Sequence, residues 1–201
     1  MFAEKFLTET KQIIDKLNVK DIEDIVQLIV ELKQQKGRLF FLGVGGSAAN
    51  ASHAVNDFRK LAGIEAYSPT DNIAELTART NDEGWRTVFS SWLTVSCLTA
   101  KDMLFVLSVG GGDLERNISL NLIAAVDYAR KQNSKIVGIW GRNGGYPAKH
   151  ADAYVLIPTV NVDHITPHAE AFQAVIWHLM IMHPQLKRMT PKWEWEESAK
   201  V

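Results

Sequence analysis

The sequence predicts an α/β fold: a single three-layer α-β-α sandwich with a central parallel sheet and an N-terminal helical extension. Three observations carry this reading. Leu39–Leu42, Met103–Ser108 and Lys135–Trp140 are continuous apolar runs rather than alternating ones, the pattern of strands buried on both faces. Helical periodicity fills the intervals between them, so strand and helix alternate. Each of the three runs is also followed by a glycine turn, at Gly43/Gly45/Gly46, Gly110–Gly112 and Gly141/Gly144/Gly145. In parallel sheets ligands bind beyond the carboxyl ends of the strands, where these turns fall. A chain of 201 residues fits one domain, divided into N-terminal helices (1–36), an α/β core (37–183) and a C-terminal tail (184–201).

Within residues 2–36, Phe6, Ile13, Ile14 and Leu17, then Ile22, Ile25, Val26, Leu28, Ile29 and Leu32, recur at helical spacing. Asp21 is placed to cap the second segment. Two helices ahead of the first strand are expected to pack on the outside of the sheet or on another subunit. After the first turn, Ile64–Tyr67 reads as a short strand and Trp85–Leu98 as a helix, with Cys97 expected to be buried and inert. Ile118–Lys131 reads as a helix, Tyr154–Ile157 as the last strand, and Pro167–Met182 as a long apolar helix. The tail, KWEWEESAKV, is polar with two tryptophans.

Composition excludes several functions. Lys and Arg total 22 against 23 for Asp and Glu, so there is no electrostatic case for nucleic acid or for an anionic membrane. A single cysteine excludes an internal disulfide and a cysteine-rich zinc site. The start of the chain lacks a basic stretch followed by an apolar core, and no apolar run approaches the ~20 residues that span a bilayer. The expectation is a soluble, cytoplasmic protein.

The stretch RLFFLGVGGSAANASHAVND reads as strand, glycine turn and helix. Free amides and the dipole at such a helix start favour an anion, although a tight connection would use the same glycines. The stretch is no Walker loop and lacks the third dinucleotide-binding glycine. His53 and Asp57 lie four apart, on one helix face, a spacing that serves two metal ligands, a carboxylate base beside an imidazole, or a plain surface ion pair. His178 lies among Val175, Ile176, Trp177 and Leu179 and is expected to be largely buried. Glu170 shares its face two turns earlier, about 12 Å away at the helical rise. The pair can share a small site if Glu170 leaves the regular helix or if the two serve different subunits. His164 and His168 fall in an expected loop, and His183 precedes a proline.

Taken in order along the chain, these features resemble the sugar isomerase (SIS) domain family, and within it the phosphoheptose isomerases. The family's G-N-G-G-S turn followed by H-x-x-x-E is matched by Gly43-Val44-Gly45-Gly46-Ser47, His53 and Asp57. Its Asn-Asp pair is matched by Asn81-Asp82. Its serine-rich phosphate loop begins at Ser108 and resumes at Ser119-Leu120-Asn121, and its Q-x(7)-H helix corresponds to Glu170 and His178.

The resemblance implies aldose–ketose isomerisation of sedoheptulose 7-phosphate to a heptose 7-phosphate through a cis-enediol(ate). It assigns Asp57 as base and His178 as its partner. Substrate contacts fall to Val44, Gly45, Gly46, Ser47, Asn81, Asp82, Ser108, Val109, Gly110, Ser119 and Glu170. A zinc, or another divalent ion, would be held by His53, Asp57, Glu170 and His178, and the sites would form between subunits of a homotetramer. The alternative is a non-catalytic SIS protein that binds a sugar phosphate or a protein partner as a regulator.

Four departures from the family pattern matter. Asp57 replaces glutamate, Glu170 replaces glutamine, and Val44 replaces asparagine. Residues 109–118 replace the serine run with an insertion containing Asp113 and Glu115, which repel phosphate unless Arg116 offsets them or the glycine amides form an anion nest. Asp113 is alternatively the cap of a short helix.

Overall fold

The computed structural model describes residues 1–198. Two helices, α1 (Phe2–Lys16) and α2 (Val19–Gln34), lead into β1 (Leu39–Leu42) and α3 (Gly46–Asp57), whose last turn runs on as a π-helical turn, Phe58–Ala62. Then follow β2 (Ala66–Tyr67), α4 (Ile73–Asp82), α5 (Val88–Val95), β3 (Met103–Ser108), α6 (Leu120–Lys131) and β4 (Lys135–Trp140). A short α7 (Gly145–Ala148), β5 (Ala153–Leu156), α8 (Ile165–Met182) and α9 (Lys192–Ser198) complete the chain. Of the tail, residues 199–201 lie outside the described residues; the exposed Trp193 and Trp195 lie on α9.

The five strands pair in parallel in the order β2-β1-β3-β4-β5. Successive side chains of a strand point to opposite faces, and the two cores divide accordingly. Leu39, Phe41, Met103, Phe105, Leu107, Val137 and Ile139 face α1, α2, α3 and α8. Phe40, Leu42, Leu104, Val106, Ile136 and Trp140 face α5 and α6. The strands read as unbroken apolar runs because both faces are covered. The order reverses between β1 and β3, and the crevice beyond their carboxyl ends is where a doubly wound sheet takes a ligand. No helix among the described residues is long and apolar enough to cross a membrane.

Several expectations shift. Asn18, not Asp21, caps α2: its side chain accepts from the Lys20 amide and donates to Asp21. β2 contains only Ala66 and Tyr67 of the expected Ile64–Tyr67. The helix expected over Trp85–Leu98 shortens to α5, and Cys97 sits past its end at φ +50, exposed rather than buried. The apolar run misleads here because Leu93 and Leu98 point inward around a turn instead of along one helix. The last strand runs from Ala153 to Leu156.

The N-terminal helices pack on the sheet through Ile13, Ile22, Ile25 and Ile29, leaving Phe2, Leu7 and Ile14 exposed. Glu9 ties α1 to the start of α8. His168 is not in a loop but in the first turns of α8, buried, and His164 is the residue that begins that helix. The Glu9 carboxylate accepts from His164 Nδ1 at 2.8 Å, from His168 Nε2 at 3.0 Å and from Asn161 Nδ2 at 2.8 Å. The His168 ring stacks on Phe6 with centroids 4.3 Å apart.

The hydrogen bonds from His164, His168 and Asn161, in that order, outweigh desolvation and hold the Glu9 pKa at about 2. A folded-state value below the unfolded one means that its stabilisation is present above the unfolded carboxylate range and is lost as pH falls towards 2. Urea titrations of wild type and Glu9→Gln should therefore differ most at neutral pH. The difference should shrink on acidification between about 4.3 and 2.

Candidate functional site

The turn after β1 doubles back so tightly that a Cβ on Gly43 would overlap the backbone carbonyl of Ser47, and Gly45 takes φ +64. That geometry starts α3 directly at the switch point of the sheet. Along α3, Asn50, His53 and Asp57 fall at i, i+3 and i+7, one stripe of the helix, and α8 lies alongside it. Asn50 Nδ2 joins the two, donating to the Glu170 carbonyl at 2.9 Å and to Gln173 Oε1 at 3.0 Å.

The packing brings three of the expected side chains together. Asp57 Oδ2 lies 3.8 Å from His53 Nε2 and 3.7 Å from His178 Nε2. Asp57 Oδ1 accepts from Asn56 Nδ2 at 2.7 Å, which leaves Oδ2 to face the two rings. His178 Nδ1 lies 2.7 Å from the Ala174 carbonyl. A carbonyl can only accept, so Nδ1 carries a proton, and Nε2 is the ring atom turned towards Asp57.

His178 is exposed over 46% of its side chain, contrary to the expected burial. The inward stripe of α8 runs through Phe172, Gln173, Ile176, Trp177 and Met180, and residue 178 falls one step off it. The ring instead stacks on the outer face of Trp177, with centroids 3.5 Å apart. His53 meets the same indole edge-on at 4.8 Å. Val175, Leu179 and Met182, on the face of α8 that carries His178, are exposed apolar residues.

Glu170 stands outside this triad of groups. Its carboxylate lies against Gly46 at the other end of α3, so closely that any Cβ there would collide with it. Asn81 and Asp82 end α4, bonded to each other at 2.7 Å. They neither line the cleft described next nor join the triad.

Val44, Ser47, Ser108, Val109, Gly110 and Ser119 do converge, on a cleft of about 860 Å³ beyond the carboxyl ends of the strands. Residues 113–118 form a small closed loop, Asp113 and Ile118 exchanging both backbone hydrogen bonds at 2.9 Å. Asp113 therefore caps no helix. Its Oδ1 accepts from the amides of Glu115 and Arg116, and Oδ2 lies 3.7 Å from Arg116 Nε. The second and third glycine turns interlock: a Cβ on Gly111 would overlap the Gly144 carbonyl, and the Tyr146 amide donates to Gly112 at 3.1 Å.

The sequence reading missed Arg142, Asn143, Tyr146 and Lys149, which form the far wall of the cleft. The third glycine turn was the available signal, but its polar residues carry no periodicity to mark them. Triad and cleft lie at opposite ends of α3, Ser47 and Asp57 being separated by roughly 15 Å of helix.

The domain model described as "SIS domain" matches residues 2–141. Phosphoheptose isomerase of Roseiflexus sp. (strain RS-1) is 32% identical over 146 residues, covering 70% of this chain and 71% of that one. The lincomycin biosynthesis protein LmbN of Streptomyces lincolnensis is 29% identical over 164 residues, 77% of this chain and 58% of that protein. Among solved structures, phosphoheptose isomerase GmhA from Neisseria gonorrhoeae superposes with a TM-score of 0.76 at 26% identity, covering 90% of this chain and 94% of that one.

The two glycines of the first turn should respond differently to alanine. Gly43→Ala places a methyl group on rigid backbone and should cost roughly 2–4 kcal/mol. Gly46→Ala meets only the mobile end of Glu170; it should stay within about 1 kcal/mol of wild type while swinging that carboxylate away. Chemical unfolding and a crystal structure of Gly46→Ala check both.

Proposed function

The chain belongs to the SIS domain family and is a sugar-phosphate isomerase, and from that premise we propose that it interconverts sedoheptulose 7-phosphate and a heptose 7-phosphate. The observation that carries the reading is the meeting of Asp57, His53 and His178 across α3 and α8. Aldose–ketose isomerisation needs a base for the proton beside the carbonyl and an acid for the carbonyl oxygen. Asp57 Oδ2 takes the carbon-bound proton. His178 serves the oxygen through Nε2 when that nitrogen carries a proton, the Nδ1–H remaining on the Ala174 carbonyl and holding the ring in place. The aspartate is one methylene shorter than the family's glutamate, so the reacting carbon must come closer to α3.

The donor set also fits a divalent ion. Separations of 3.7 and 3.8 Å are too long for hydrogen bonds. Two ligands each about 2 Å from one zinc sit roughly 3.3 Å apart. With His178 Nε2 and an Asp57 carboxylate oxygen facing each other at 3.7 Å, a cation between them would be held by both. His53, Asp57 and His178 would hold zinc, with Glu170 as the fourth ligand if its side chain leaves Gly46. When bound, the ion supplies Lewis-acid polarisation of the carbonyl.

Assembly follows from the same surfaces. His53 and His178 open outward beside exposed Val175, Leu179 and Met182, a border suited to a second copy of the chain. Sites shared within a homotetramer would also bridge the ~15 Å between a chain's own triad and its cleft. The protein is assigned to the cytoplasm, in keeping with its phosphorylated substrate.

The test is turnover of sedoheptulose 7-phosphate in D₂O, followed by NMR, with metal content measured in parallel. Deuterium should appear at the carbon beside the carbonyl. Asp57→Asn and His178→Ala should each lower kcat by about 10²–10⁴-fold, and chelation should lower activity that added zinc restores. Sugar binding without exchange in the zinc-loaded protein would instead favour the regulatory alternative.

A further inference from the structure

Three cations reach the cleft between the glycine turns: Arg116, Arg142 and Lys149. Arg116 is committed to Asp113 at 3.7 Å. Arg142 and Lys149 have no side-chain hydrogen bond or ion pair among the described residues. The Arg142 backbone is held at φ +52, a left-handed conformation that a side chain with a Cβ disfavours. Its stem lies on Gly110, whose Cβ, if present, would stand 3.3 Å from Arg142 Cδ. The glycine thus makes room for the arginine beside the cleft.

The opposite wall is short of donors. No serine or threonine lies between Ser108 and Ser119. The Ser108 hydroxyl braces its own loop by accepting from the Gly111 amide at 3.0 Å. Of the two acids in the cleft, Asp113 is turned into its own loop and paired, and Glu115 remains exposed. Ser47, at the start of α3, is buried on the cleft wall with its hydroxyl unpartnered among the described residues. An unpartnered buried hydroxyl and two cations free of ion pairs line the same cleft, a donor set suited to an anion.

We propose that Arg142 and Lys149, with the Ser47 hydroxyl, bind the substrate's phosphate, replacing the hydroxyl-rich loop that residues 109–118 lack. The assignment rests on the sugar-phosphate reading for its ligand, but the anion site can be tested alone. Arg142 supplies a planar fork of N–H donors and Lys149 a point charge. The left-handed backbone at Arg142 is the strain that this placement entails.

The experiment pairs calorimetric titration of the full chain with inorganic phosphate and steady-state kinetics on sedoheptulose 7-phosphate. Arg142→Gln and Lys149→Gln should each weaken phosphate binding and raise KM about tenfold, and the double variant about 100-fold. The loss should fall on KM more than on kcat. Arg142→Gly should lose phosphate as well while melting at a higher temperature than wild type, since glycine relieves the positive φ. A purely structural arginine would not produce that opposed pair of changes.

Variants that bind phosphate like wild type and keep its KM overturn the proposal while leaving the isomerase reading intact. Wild type that binds phosphate through Arg142 and Lys149 but does not turn over the sugar supports the anion site and removes that substrate. Wild type that fails to bind phosphate, with KM unmoved in the variants, overturns the site.

Discussion

The chemistry proposed for this chain depends on the line of contact between α3 and α8. α3 is fixed at the switch point of the sheet by a turn that only glycine can make at position 43. α8 is fixed against it by Phe172, Ile176, Trp177 and Met180 in the core, and by the two hydrogen bonds from Asn50. Each fully buried large side chain of that stripe contributes on the order of 1.5–3 kcal/mol, so the helices cannot slide without a large loss. The rigidity is transmitted directly to His178. It stacks on buried Trp177 and is tied to Ala174, so its ring is placed by the core although half of it meets solvent.

Two clusters in the same structure show how distance separates one kind of chemistry from another. Around Glu9, donors lie 2.8 and 3.0 Å from one carboxylate oxygen, and every contact is satisfied by a proton already on an imidazole. Around Asp57, a carboxylate and two imidazoles again meet, but 3.7 and 3.8 Å apart. The first arrangement is complete and buried, an anchor for α1 at the start of α8. The second is open and incomplete. Hydrogen-bond energy falls steeply over that interval, so the Asp57 group has capacity left for a substrate proton or a cation.

The sheet was legible in the sequence because burial on both faces forces continuous apolar strands, and the glycine turns punctuated it at β1, β3 and β4. The pairing of His53 with Asp57 was legible for an equally local reason, a spacing of four on one helix. What escaped depended on orientation or on distant partners. The burial of His178 was misjudged because neighbours in sequence do not say which of Trp177 and His178 turns inward; the stripe through Phe172, Ile176 and Met180 decides it. His164 and His168 were passed over since their partner, Glu9, lies more than 150 residues away. Cys97 was placed in a helix that its left-handed backbone does not permit.

The departures at Asp57 and Glu170 gain meaning when taken together. One shortens the acid on α3, and the other introduces an acid on α8, where the family pattern has a neutral amide. The new carboxylate lies on Gly46, beside the amino end of α3, where the helix dipole favours negative charge. It is thereby kept away from Asp57, and two like charges do not have to share one small space. A cation held by the triad would reverse that preference, because a second carboxylate then becomes a ligand rather than a rival. On the metal-bound reading proposed above, the position of Glu170 would follow the charge held by the triad. The resting place itself depends on Gly46, where any Cβ would overlap the Glu170 carboxylate.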